Sequence, residues 1–158
     1  MTDIITLDKN GILEYQKNRP PFLMIDAATE IIPGVSAKGY KQLDPSEWFF
    51  ACHFEGDPLM PGMLQVEAIV QMSALMVTTQ PGNKGKICYL TNADKLQLKR
   101  RVIPNDRFDI DTRMLSFKRG VGKIEGTGTV NGELACKVEF MIVVPSILEG
   151  MRPGQPII

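Results

Sequence analysis

The chain has 158 residues, 44% of them hydrophobic and 23% charged, with 18 Lys plus Arg against 18 Asp plus Glu. That length suits one domain around one core, and the composition excludes collagen-like, disordered and coiled-coil classes. A balanced charge gives no reason to expect nucleic acid as partner, and no apolar run approaches the ~20 residues needed to span a membrane.

The opening MTDIITLDKNG lacks the basic-then-apolar order of a secretory signal, so the expected location is the cytoplasm. Cys52, Cys88 and Cys136 are odd in number, widely spaced and without a CxxC pair, which argues against a disulfide framework and a zinc site and favours buried thiols. His53 is the single histidine, so mechanisms and metal sites that need two of them in one subunit fall away.

In chain order, residues 1–17 read as an entry arm with a short helix over 12–17, and Asn18-Arg19-Pro20-Pro21 forces an extended segment. Residues 22–42 predict a hairpin around Pro33-Gly34. Trp48-Phe49-Phe50 leads into a rigid loop holding His53, Gly56, Pro58, Pro61 and Gly62. Residues 63–79, free of Gly and Pro and almost wholly apolar, predict a buried helix, stopped by Pro81-Gly82-Asn83-Lys84-Gly85. Short extended runs follow at 87–90, 96–98 and 108–117, with a turn at Gly120-Val121-Gly122. Asn131-Gly132, between 124–130 and 134–144, predicts a type I′ hairpin, which needs two residues tolerant of positive φ. A helix apolar on nearly every side needs cover, and strands are the only material, so the expected class is α+β: one antiparallel sheet wrapped around one helix. The whole chain, 1–158, reads as one domain with a mobile tail over 146–158.

The chemistry concentrates in the run from His53 to Glu67. Glu67 falls in the second helical turn, with Gln71 at i+4 on the same face. A carboxyl group in apolar surroundings holds its proton toward neutral pH, and a His titrates near neutrality, so the two make an acid/base pair. Gly62, at the helix start, offers an N–H without an intrahelical partner where an oxyanion can form, and Pro61 fixes the backbone before it. A plainer reading makes His53 a hydrogen-bonded structural residue and either turns Glu67 to a solvated groove or pairs it with a Lys. A Cys52–His53 nucleophilic dyad is disfavoured because neighbours on an extended segment face opposite ways. Lys95, Lys99, Arg100 and Arg101, with Lys84, Lys86, Lys118 and Arg119, read either as a solvated strand face or as a docking patch for an acidic protein or a phosphate-bearing thioester arm.

The run His53-Phe54-Glu55-Gly56-Asp57-Pro58-Leu59-Met60-Pro61-Gly62, with an acid fourteen residues after the His, resembles the 3-hydroxyacyl-acyl carrier protein dehydratases of fatty-acid synthesis. Arg19-Pro20-Pro21-Phe22-Leu23-Met24-Ile25-Asp26 is similar to that family's arm, and Val102-Ile103-Pro104-Asn105-Asp106 to one of its later segments. The resemblance implies a hotdog fold and a homodimer, with assembly to a hexamer, in which each site takes His53 from one subunit and Glu67 from the other. It assigns His53 and Glu67 to catalysis and Gly62, Phe54, Met60, Pro61 and Gln71 to oxyanion and substrate binding. Acyl carrier protein with a phosphopantetheine-linked 3-hydroxyacyl group is the implied partner, with Lys95, Lys99, Arg100 and Arg101 as docking residues; no metal or redox cofactor is implied. Glu67 matches the branch that only dehydrates, since relatives that also isomerise usually carry Asp there. Asn18, Glu55 and Arg101 depart from the family's usual His, Pro and Pro. Two other readings of the pocket are a hotdog thioesterase and a non-catalytic acyl- or carrier-binding domain.

Overall fold

The computed structural model describes residues 3–148. A short strand, β1 (Ile5–Leu7), and a first helix, α1 (Lys9–Tyr15), precede a hairpin of β2 (Ala27–Ile32) and β3 (Ser36–Gln42). A 3₁₀ turn at Trp48–Ala51 leads through the His53 loop to the long helix α2 (Gly62–Thr78), and four strands follow: β4 (Tyr89–Leu98), β5 (Arg107–Lys118), β6 (Val121–Val130) and β7 (Glu133–Val143). All seven strands form one antiparallel sheet in the order β1-β2-β3-β5-β6-β7-β4. The expected α+β class and the wrapped helix are therefore present.

The sheet curls around α2, which packs on β2, β3, β5, β6 and β7. Two glycines in the strands under the helix make this approach possible. A Cβ at Gly126 of β6 would run into Ile69, and one at Gly39 of β3 would meet the Met72 side chain, so bare backbone lets α2 sink onto the sheet. Ile69, Met72, Leu75, Phe108 and Phe140 are all sealed from solvent in the resulting core. At ~1.5–3 kcal/mol for each large side chain fully buried, this layer is the main source of stability.

Helix α2 is not equally covered all round. Ala68, Ile69, Met72, Ser73, Leu75, Met76 and Val77 have no exposure, yet Met63, Glu67, Val70 and Ala74 retain some. Their spacing of four, three and four residues is one helical stripe. The helix is therefore open at Met63 and Glu67, beside the His53 loop, and nearly closed beyond the carboxylate, where Val70 and Ala74 keep only 6% and 8% exposure.

Several boundaries differ from expectation. Residues 3–17 are folded into the domain: β1 pairs with β2, and α1 starts three residues early because Asp8 caps it, its Oδ1 accepting from the Gly11 N–H at 2.8 Å. The short helix expected over 12–17 is thus present, displaced toward the N-terminus, beside the long one. The two runs expected at 87–90 and 96–98 join into a single strand, β4, which starts only at Tyr89 and is interrupted by register shifts between Leu90 and Asn92 and between Asp94 and Gln97. The turn expected at Gly120-Val121-Gly122 lies one residue earlier, at Arg119 and Gly120 (φ 52° and 82°), and Val121 and Gly122 belong to β6. Asn131 and Gly132 have the positive φ angles, 50° and 78°, that the type I′ hairpin demands. Of the cysteines, only Cys136 is fully buried; Cys52 is exposed. The expected tail lies outside the described residues from 149 onward, while 146–148 turn back on Val144 through the amides of Ile147 and Leu148.

Candidate active site

The His53 loop is closed by its own backbone. Phe54 and Asp57 exchange N–H···O bonds of 2.9 Å, Leu59 N–H donates to His53 O at 2.9 Å, and Met60 N–H reaches Val102 O at 2.7 Å. The imidazole Nδ1 lies 3.3 Å from Leu59 O. A carbonyl only accepts, so Nδ1 is the donor in this contact and Nε2 is the ring nitrogen left without a partner among the described residues. The half-buried imidazole stacks near the Phe54 ring, with centroids 4.0 Å apart, and Phe54 itself is exposed. Cys52 directs its thiol back to the carbonyls of Trp48 and Phe49, away from any pairing with His53.

Pro61 caps α2 without a side-chain bond, and its carbonyl takes the amides of Leu64 and Gln65. The N–H of Gly62 donates to nothing among the described residues and sits at the positive end of the helix dipole. A Cβ at this position would collide with the Leu98 side chain from β4, so glycine lets Leu98 lie across the corner. Met60 is in the core with no exposure, which leaves it no surface for a substrate; it anchors the loop to Val102.

Glu67 is half-buried on the open stripe. Desolvation pushes its carboxyl above the ordinary value, and the hydrogen bond from Gln71, which favours the charged form, offsets part of this. Gln71 Nε2 donates to Glu67 Oε1 at 2.8 Å and to Phe22 O at 2.9 Å, and its Oε1 accepts from Met24 N–H at 2.8 Å. One amide thus binds the N-terminal arm to the helix and fixes the carboxylate rotamer. Trp48 Nε1 holds the same arm through Pro21 O at 3.3 Å. No Lys pairs with Glu67 among the described residues, and no hydrogen bond or ion pair joins Glu67 to His53 within the chain.

The four basic residues marked for docking behave differently from one another. Lys95 pairs with Glu139 at 3.4 Å, Arg100 with Glu133 at 2.9 Å, and Arg101 grips Asp57 of the His53 loop through both of its terminal nitrogens. Lys99 has no carboxylate partner among the described residues. The Arg101–Asp57 pair joins positions 44 apart in sequence, so reading along the chain missed it; the departure from Pro at 101 was the available signal.

A long helix wrapped by a seven-stranded antiparallel sheet, with its N-terminus open beside a His loop, defines a hotdog-fold protein. A family model described as a FabA-like domain matches residues 17–139, and the chain belongs to that family. The 3-hydroxyacyl-[acyl-carrier-protein] dehydratase FabZ of Anoxybacillus flavithermus is 36% identical over 138 residues, covering 87% of this chain and 97% of that protein. Its counterpart in Caldicellulosiruptor saccharolyticus is 38% identical over 137 residues, covering 87% and 98%. Among solved structures, the dehydratase heterocomplex ApeI:P from Xenorhabdus doucetiae superposes with a TM-score of 0.74 at 12% identity, over 85% of this chain and 90% of that one, a likeness of fold. No helix among the described residues is long and apolar enough to cross a membrane.

Proposed function

We infer that this protein dehydrates 3-hydroxyacyl groups carried on acyl carrier protein to trans-2-enoyl groups, in fatty-acid or related acyl-chain synthesis. The observation that carries the mechanism is Glu67: a carboxyl group with a raised pKa, on the one open stripe of α2, oriented by Gln71 and one turn beyond the free amide of Gly62. The extensive identity to curated dehydratases supports the substrate class.

In this reading His53 Nε2 removes the proton from C2 of the thioester. The electron pair moves onto the carbonyl oxygen, where the Gly62 N–H and the helix dipole hold the growing negative charge. As the enolate collapses, the C2–C3 double bond forms and the C3–O bond breaks, with the Glu67 carboxylic acid giving its proton to the leaving hydroxyl. Water and the enoyl thioester result, and a proton passing from His53 back to Glu67 resets the pair.

The active unit is a homodimer in which Glu67 meets the partner's His53. Two features support this: the absence of any bond between the two groups within one chain, and the outer edge of β4, which carries exposed Tyr89, Leu96 and Leu98. An unpaired strand edge with apolar side chains is a natural seat for a second copy. Incubation with a 3-hydroxyacyl thioester, following conjugated-enoyl absorbance and free thiol together, tests the activity. Enoyl product without thiol agrees with dehydration; thiol release without enoyl makes the protein a thioesterase; neither makes it a binding domain.

A further inference from the structure

The segment that delivers His53 has an anchor of its own, which the dehydration chemistry does not use. Lys41 shares the buried face of β3 with Ala37 and Gly39, and its side chain is only 3% exposed. Lysine is almost never sealed in this way unless a partner meets its charge. Its Nζ lies 2.7 Å from Glu47 Oε1, and Glu47 is the residue from which the 3₁₀ turn at Trp48–Ala51 starts.

Both halves of the site hang from that turn. Phe49 O accepts the His53 N–H at 2.8 Å, so the position of the turn sets where the imidazole leaves the backbone. Trp48 Nε1 donates to Pro21 O, and the carbonyl of the next residue, Phe22, accepts from Gln71, the amide that orients Glu67. Phe49 and Phe50 are buried beneath the turn, but apolar burial is non-directional and leaves its rotation and register unspecified. Among the described residues, two side-chain hydrogen bonds tie residues 47–52 to other parts of the chain: Glu47 to Lys41 and Trp48 to Pro21. A buried ion pair is a poor source of stability, because desolvation of the two charges offsets their attraction and apolar residues of similar volume often do as well or better. What it supplies is direction, since one ammonium and one carboxylate meet at one place.

We propose that Lys41 and Glu47 are positioning residues for the dehydration: their ion pair locks the turn that holds the His53 imidazole of one shared site and, through Trp48 and the arm, the Glu67 carboxyl of the other. This role rests on the dehydratase reading, whereas the placement of the imidazole can be measured without it.

The test replaces both charges at once, Lys41→Met with Glu47→Met, so that neither is left buried alone and the side-chain volume is kept. The double variant has a Tm at or above that of the wild type. Its kcat for 3-hydroxybutanoyl-N-acetylcysteamine falls about tenfold or more while KM stays within about twofold, as for an interaction needed in the transition state and not for binding. His53 is the single histidine, so labelling with ¹⁵N-histidine reports one imidazole. In the wild type, at a pH that leaves the ring neutral, Leu59 O holds the proton on Nδ1 and the two ring nitrogens give widely separated signals. In the double variant that contact loosens, both tautomers are populated and the signals draw together. Wild-type kcat with an unmoved ring signal overturns the proposal. So does a fall in kcat matched by an equal loss of folded protein, which makes the pair a stability element. A wild-type protein without turnover removes the dehydratase reading, and the ring signal then decides by itself whether the pair places the imidazole.

Discussion

Replacing Gln71 by Leu removes three hydrogen bonds from one buried point and connects the stability of the fold to the behaviour of the site. Leu fills a similar volume, so little is lost in packing. The Met24 N–H, in a residue with no exposure, loses its only acceptor. A buried donor left unmet costs ~1–3 kcal/mol. The Phe22 carbonyl belongs to an exposed residue and turns to water, so its loss adds little. A net cost of about 2–3 kcal/mol lowers Tm by about 4–12 °C for a chain of this size. The kinetic consequence has its own sign. The bond from Gln71 favours the ionised form of Glu67, so its removal raises the carboxyl pKa further. With Glu67 acting as the proton donor, the alkaline fall in kcat governed by Glu67 moves to higher pH in the variant, measured by thermal unfolding and a pH–rate profile on the same preparation. An unchanged Tm together with an unmoved limb refutes the reasoning that one amide both anchors the arm and sets the carboxylate.

Glu67→Gln abolishes most of the activity and yet stabilises the protein. Because the folded-state pKa is raised, the carboxyl costs nothing below the ordinary glutamate range, and its penalty grows as pH rises through the folded pKa, so the Tm advantage of the variant is absent near pH 4 and present at pH 7–8. A constant advantage at all pH values contradicts this. Gly126→Ala forces a methyl group into Ile69 and lowers stability by ~1–3 kcal/mol, seen as a lower midpoint in urea with unchanged slope. Arg101→Gln frees Asp57, whose carboxyl the guanidinium holds below the usual range, and lowers kcat/KM severalfold by loosening the His53 loop; Arg101→Lys restores less than half of the loss because Lys cannot make the two-pronged contact. Wild-type rates in Arg101→Gln show that the loop holds itself by its backbone bonds alone.

Local chemistry made the central part of the fold legible. Asn131-Gly132 names its own turn, the uninterrupted apolar run of α2 predicts burial, and Glu67 and Gln71 sit at a spacing that makes them neighbours on any helix. What the sequence hid depends on contacts between distant segments. β4 reads as two fragments because its bulges break the alternation and, within one chain, its side chains face solvent, so selection for a period-two pattern is weak. Arg119 at positive φ carries no turn signal of its own, which displaced the expected turn by a residue. Asp8 capping α1 was readable from the cap preference, but β1 is only three residues long and acquires strand geometry from β2. At the site, the residue types were legible and the partners were not: Gln71 to Phe22 and Met24, and Arg101 to Asp57, arise from the way the arm, loop and sheet close on one another.

The claim on which the account depends most is that each site is shared between two copies, with the proton-abstracting imidazole from one and the carboxylic acid from the other. His53→Ala and Glu67→Gln are each expected to lower kcat by about 10²-fold or more. Mixing the two inactive variants in equal amounts under conditions of subunit exchange, with exchange followed by a mass tag on one variant, gives the direct measurement. Random exchange makes half the dimers mixed, each with one complete site, so the activity returns to about a quarter of the wild-type value. Full exchange with no recovery places both groups of a working site in the same chain and contradicts the account.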